Sequence, residues 1–190
     1  MLEIIRCKSS QWLRILVLLF LTLPAWRSLR AQAGHEKGSP IITYYSPQVN
    51  RGALSVWTAI QDTNGVMYFG STGVGISTYN GVSWQAISRD ELGKFGVVRC
   101  FAQGPDGTIY FGAGGDIGYL ERDSTGNIIG RSLLHYIPKT QRDFADIWSI
   151  QIQGNNVYFQ SRERLIRLTK TGSAKKAKWN SRTWAPSTHF

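Results

Sequence analysis

The chain has 190 residues, 42% hydrophobic and 12% aromatic, with 20 glycines and only 18% charged residues. That is enough apolar material for one domain with a core and excludes a disordered chain; many aromatics and glycines with modest charge point to short strands joined by tight turns. The net charge of +10 would suit a nucleic-acid-binding protein, but Lys/Arg outnumber acids five to one in residues 1–33 and eight to one in 161–190, against nine to ten in 34–160; the body is near neutral and lacks a basic face for a phosphate backbone, so no nucleic acid is expected there.

At the amino terminus Arg6, Lys8 and Arg14 flank the apolar run Ile15–Leu23, Pro24 breaks it, and Ala31-Gln32-Ala33 precedes Gly34. A basic end, a short apolar core and a small-x-small site make a secretory signal peptide over 1–33, cut between Ala33 and Gly34. The nine-residue apolar run falls short of the about 20 residues that cross a bilayer. Arg27 and Arg30, between that run and the cut, leave open an uncleaved leader anchored in the inner membrane, the one membrane attachment expected. The body is therefore read as periplasmic or otherwise exported. Cys7 departs with the leader and Cys100, in the apolar run "VVRCFA", is left as a lone thiol, which can form no internal disulfide.

After a leader segment, 34–47, the chain repeats itself. One copy runs from Val56 ("VWTAIQDTNGVMYFGSTGVGISTYNGVSWQAI"), a second from Val97 ("VVRCFAQGPDGTIYFGAGGDIGYLE") and a third from Ile147 ("IWSIQIQGNNVYFQSRERLIRL"). Their Tyr-Phe pairs, Tyr68-Phe69, Tyr110-Phe111 and Tyr158-Phe159, are spaced 42 and 48 residues apart, the size of a propeller blade. Asn64-Gly65, Asp106-Gly107 and Gly154-Asn155-Asn156 stand where each copy needs a tight hairpin, and these residues accept the positive φ it demands. The reading is an all-β chain, a partial β-propeller of about two and a half blades behind a signal-peptide helix: 48–88 as the first blade with Trp84 on its outer strand, 89–136 as the second, and 137–168 as a partial third without its outer strand. Residues 169–190, basic and without alternation, read as an unpacked tail; Trp179 and Trp184 among its cations also fit a charged surface patch.

No catalytic, cofactor or metal site is legible. His35, His135 and His189 are scattered, and no His/Cys/Asp/Glu cluster has ligand spacing. Asp62-Thr63-Asn64-Gly65 opens like a calcium loop but lacks the closing glutamate. Gly112–Gly115 leads into "DIGYLE", a strand rather than the helix a phosphate loop needs. No serine stands in a nucleophile elbow.

The opener "GSPIITYYSP" (Gly38–Pro47) and the three copies, over about residues 38–168, resemble the sensor region of bacterial two-component regulators built from two-component-regulator-propeller repeats. The resemblance implies a periplasmic propeller that senses a small ligand, often a carbohydrate or oligosaccharide, followed in full-length relatives by a membrane span and a histidine kinase or DNA-binding output. Those later parts have no counterpart in this sequence, which therefore reads as a truncated sensor rather than an enzyme. An inert fragment of a broken sensor gene, or an exported propeller lyase or glycosidase, are the alternatives. On the sensor reading the candidate ligand contacts are Trp57, Arg99 and Trp148, which open the three copies and would line the blade tops near the channel; the same residues also suit packing between blades. Unpaired outer blade faces are expected to drive self-association.

Overall fold

The computed structural model describes residues 41–89, 96–172 and 178–185. The leader, its Ala33–Gly34 junction and residues 34–40 lie outside the described residues. The chain divides into a unit Met1–Thr43, whose residues 41–43 carry neither helix nor strand, and a unit Tyr44–Phe190 that holds all thirteen described strands. No helix among the described residues is long and apolar enough to cross a membrane.

Three antiparallel meanders follow one another. The first is β1 (Val56–Gln61), β2 (Met67–Ser71), β3 (Ile76–Tyr79) and β4 (Trp84–Ala86), paired in chain order. Next come β5 (Ser88–Arg89), β6 (Val98–Gln103), β7 (Ile109–Ala113), β8 (Asp116–Arg122) and β9 (Ile128–Ser132). Of these, β6 to β9 form the second meander and β5 runs parallel along the outer edge of β9. The third is β10 (Ser149–Gln153), β11 (Asn156–Gln160), β12 (Leu165–Thr171) and β13 (Lys178–Trp184). The first strands lie side by side, β6 packing against both β1 and β10. Successive four-stranded meanders with adjacent inner strands are the blades of a partial β-propeller.

The turns form for the reasons visible in the sequence. Gly65 and Gly107 adopt φ of +83° and +80° between β1 and β2 and between β6 and β7. Asp62 Oδ1 accepts hydrogen bonds from the amides of Asn64 and Val66 at 2.8 and 2.9 Å, locking the first hairpin.

The Tyr-Phe pairs set the packing. Tyr68, Tyr110 and Tyr158 lie opposite Ile60, Ala102 and Gln151, and Phe69, Phe111 and Phe159 opposite Ala59, Phe101 and Ile150. Because side chains alternate across a strand, each blade has a Tyr side and a Phe side, and the Tyr side of one blade meets the Phe side of the next. Tyr68 and Ile76 of the first blade share a core with Val98, Ile109, Phe111 and Ala113 of the second. On its other side, Cys100, Tyr110 and Ile117 share a core with Ile147, Ile150, Phe159 and Trp179 of the third. The middle strand β7 is accordingly buried at every position, whereas β2 and β11 keep only one fully buried face. Phe111 and Phe159 are wholly buried, each burial stabilising the stack by about 1.5–3 kcal/mol.

The glycine after each of the first two Tyr-Phe pairs marks the closest approach of blades. A Cβ on Gly70 would lie 2.8 Å from Val98 Cγ1, and one on Gly112 would lie 2.5 Å from Ile147 Cγ2.

The third blade corrects the sequence reading. The pattern does not stop at Leu168: β12 continues to Thr171, and β13 pairs with it from Leu165↔Trp184 to Thr171↔Lys178, so the described blades number three rather than about two and a half. Within residues 169–190, 178–184 form a packed strand instead of a tail. Its inward residues are Trp179, Ser181 and Thr183. Trp179 is buried against Tyr110 and Tyr119 at ring distances of 6.2 and 6.3 Å, and Ser181 Oγ donates to the Tyr136 carbonyl at 2.6 Å.

Candidate ligand-binding site

Trp57, Arg99 and Trp148 come from three different blades and form one stack. Arg99 Cζ lies 4.2 Å from the centre of the Trp57 ring and 4.7 Å from that of Trp148. Arg162, in the turn between β11 and β12, continues the series, its Cζ 5.5 Å from the Trp148 ring. The order is indole, guanidinium, indole, guanidinium, each cation held over an aromatic face.

Backbone irregularities aim these side chains. The β1–β2 register shifts between Val56 and Thr58, and the β6–β7 register between Val98 and Cys100, so Trp57 and Arg99 are the extra residues of two β-bulges. In a regular strand Val98 and Cys100 would share a face. Here Val98 packs toward the first blade and Cys100 toward the third, and Arg99 is freed between them. Trp148 sits at the corresponding place just ahead of β10, its amide donating to the Gln160 carbonyl at 2.8 Å.

Burial separates the roles. The Arg99 side chain is 16% exposed, while Trp57 and Trp148 are 51% and 44% exposed. Arg99 is the packed wedge and the indoles are the surfaces offered to solvent. Arg99 Nε and Nη1 are buried and make no hydrogen bond, so Asp146, whose Oδ2 lies 2.9 Å from Nε, holds the guanidinium by charge. The Trp57 indole N–H donates to Thr72 Oγ1 at 3.0 Å, which fixes that ring. Arg164 pins the Arg162 turn by a double contact to Asp143 at 2.5 and 2.9 Å, and this pairing holds the Asp143 carboxyl below its ordinary 3.8.

A concavity of about 370 Å³ lies at the other ends of the same strands, lined by Asp62, Asp106, Tyr110, Tyr119, Lys170 and Trp179. Its groups serve the fold. Burial, with the hydrogen bond from its hydroxyl to Asp62, pushes the Tyr68 phenol up to about 12. Burial alone would raise the Asp106 carboxyl, but its contact with Lys170 at 2.8 Å and its bonds to Thr108 outweigh that and hold it below 3.8. That ion pair clasps the second blade to the third. Burial likewise pushes the Cys100 thiol up to about 12, leaving no thiolate for chemistry. Among the described residues no group of three His/Cys/Asp/Glu could hold a metal ion.

Position in the repeat located Trp57, Arg99 and Trp148 from sequence, and the structure brings all three together. Asp146 and Arg162 were not foreseen. The acid two residues before Trp148 is the one signal that could have flagged Asp146.

No known family matches the chain, and no curated protein matches it. Among solved structures it is similar to the extracellular domain of a hybrid two-component system from B. thetaiotaomicron, at 18% identity and a TM-score of 0.45, over 73% of this chain and 16% of that one. It is also similar to virginiamycin B lyase from Staphylococcus aureus, at 15% identity and a TM-score of 0.41, over 66% of this chain and 40% of that one. The chain thus spans less than half the length of either.

Proposed function

We propose that this chain is the ligand-sensing propeller segment of an exported two-component receptor, and that it binds a carbohydrate or another small ligand on the Trp57–Arg99–Trp148 stack. The observation that carries the reading is the convergence of three repeat-equivalent residues from three blades, with the cation packed and both indoles about half exposed. Exposed indoles with a few fixed polar groups beside them are the composition of a small-molecule site. Indole faces take the apolar face of a sugar ring, and Arg162 and Asp146 at the margins supply a donor and an acceptor for hydroxyls. Exposed indole faces beside a packed guanidinium hold and orient a ligand, which supports a receptor.

The test is calorimetric titration of the purified protein against a panel of neutral and acidic oligosaccharides. At least one should bind, and Trp57→Ala and Trp148→Ala should each weaken it about 10- to 100-fold, the effect of losing roughly 1.4–3 kcal/mol of stacking. Binding that survives both substitutions, or no binding by a folded protein across the panel, contradicts the reading.

A further inference from the structure

Inside the chain one interface occurs twice, the Tyr side of a blade receiving the Phe side of the next. That rule leaves two sides without a partner blade among the described residues. One is the Phe side of the first blade, where Ala59 is exposed and Phe69 half-buried, although the equivalent Phe111 and Phe159 are wholly buried. The other is the Tyr side of the third blade, where Gln151, Tyr158, Arg167 and Arg182 stand in one row.

The two sides are chemically complementary. The first is aromatic: Phe69 and Tyr79 each lie 5.0 Å from Trp84, and Tyr45 covers only the outer end, 5.2 Å from the same ring. The second is cationic, with no acid in its rows: Arg167 and Arg182 lie 5.6 and 5.3 Å from the Trp184 ring. Guanidinium groups favour aromatic faces. Each side also carries one buried donor without a hydrogen bond, Trp84 Nε1 on the first and Arg167 Nε on the second.

We propose that a second copy of this chain occupies both sides, the Phe side of each first blade seated on the Tyr side of the other copy's third blade. Continuing the internal interface closes the arc: two arcs of three blades make a six-bladed ring, within the four to eight blades at which propellers close, with twofold symmetry that stops growth at two copies. It also sets the second copy's Trp57 beside Trp148 of the first, so that the aromatic and cationic stack runs on around the channel.

One position works against the fit. Where the first two blades have Gly70 and Gly112 under Val98 and Ile147, the third has Gln160. The residue that must approach it is Val56 of the other copy, 52% exposed here. The seat is therefore held open at that corner, and removing the side chain tightens it.

The test measures the mass of the full chain in solution by light scattering from about 1 to 100 μM. The wild type should reach twice the chain mass within that range. Gln160→Gly should lower the concentration at half-association at least tenfold, an outcome that a loss of surface contacts would not give. Phe69→Arg sets a cation against Arg167 and Arg182 and should return a monomer, and adding Arg182→Glu should restore the pair. Should Phe69→Arg not fold, crosslinking decides. Ile60 shares one internal core with Phe101, and Ala102 the other with Ile150, and Gln151 and Ala59 hold the equivalent register positions, so Ala59→Cys with Gln151→Cys, in a Cys7→Ser background, should give covalent pairs on oxidation where either single cysteine gives none. A wild type and Gln160→Gly variant that both stay monomeric, the absence of covalent pairs, or species that grow beyond two copies would overturn the proposal.

Discussion

Substituting Gly112 by alanine tests how closely the blades are packed. The added Cβ would lie 2.5 and 2.8 Å from Cγ2 and Cβ of Ile147 and 2.7 Å from Cys100 Sγ. Ile147 is wholly buried and its carbonyl accepts the Cys100 thiol hydrogen bond at 3.4 Å, so no flexible chain end is there to yield. Overpacking of this kind costs about 1–3 kcal/mol. Replacing glycine at an unstrained φ returns about 0.4–1 kcal/mol by restricting the unfolded chain, leaving a net loss of about 1–2 kcal/mol. With a urea slope of about 2 kcal/mol/M, the middle of the range for a small protein, the unfolding midpoint should fall by roughly 0.5–1 M. Because Ile147 adjoins Trp148, the near-ultraviolet circular dichroism should change as well. An Ile147→Ala change should cost less in the Gly112→Ala background than in the wild type, since the two side chains compete for one space. An unchanged or raised midpoint would refute the close approach of the second and third blades.

Other consequences are equally direct. Asp106, held below its ordinary 3.8 by Lys170 and Thr108 against the pull of burial, Asp123, held down by Thr125 and Asn127, and Asp143, held down by Arg164, give stability that is present above 3.8 and lost as the pH falls through the lower folded values; urea midpoints should be level from about pH 7 to 5 and drop below about 4, less steeply in Lys170→Met, and a midpoint constant from pH 5 to 3 would contradict this. Trp179→Ala should cost about 3–5 kcal/mol as a buried large-to-small change, measurable by the same titration, whereas a residue in an unpacked tail would give almost nothing. A fusion of residues 1–40 to a reporter active only outside the cytoplasm should be active, with the released protein starting at Gly34; a silent reporter contradicts export.

The blades were legible because their signals are local. Asn64-Gly65 and Asp106-Gly107 name hairpins, and the spaced Tyr-Phe pairs name equivalent strands. The outer strand of the third blade was not, because only Trp179 of its inward residues is apolar; Ser181 and Thr183 instead hydrogen-bond to Tyr136 and Gln141 in the preceding connection, so no hydrophobic alternation betrays it. β5 is two residues long and gains its place by parallel pairing with β9, a tertiary event without a local pattern. The candidate site was half legible. Position in the repeat found Trp57, Arg99 and Trp148, but their meeting depends on two bulges that no residue type announces, and on Asp146, brought to Arg99 from the long connection before the third blade.

The central claim is that ligand lands on the exposed indoles of the stack. The chain contains 7 tryptophans, and their indole N–H resonances can be followed one by one by nuclear magnetic resonance while a binding oligosaccharide is added. The resonances of Trp57 and Trp148 should shift together with a single affinity, while that of buried Trp179 stays in place. Shifts confined to Trp84, Trp179 or Trp184, with Trp57 and Trp148 unmoved by a ligand that calorimetry shows to bind, would contradict the account.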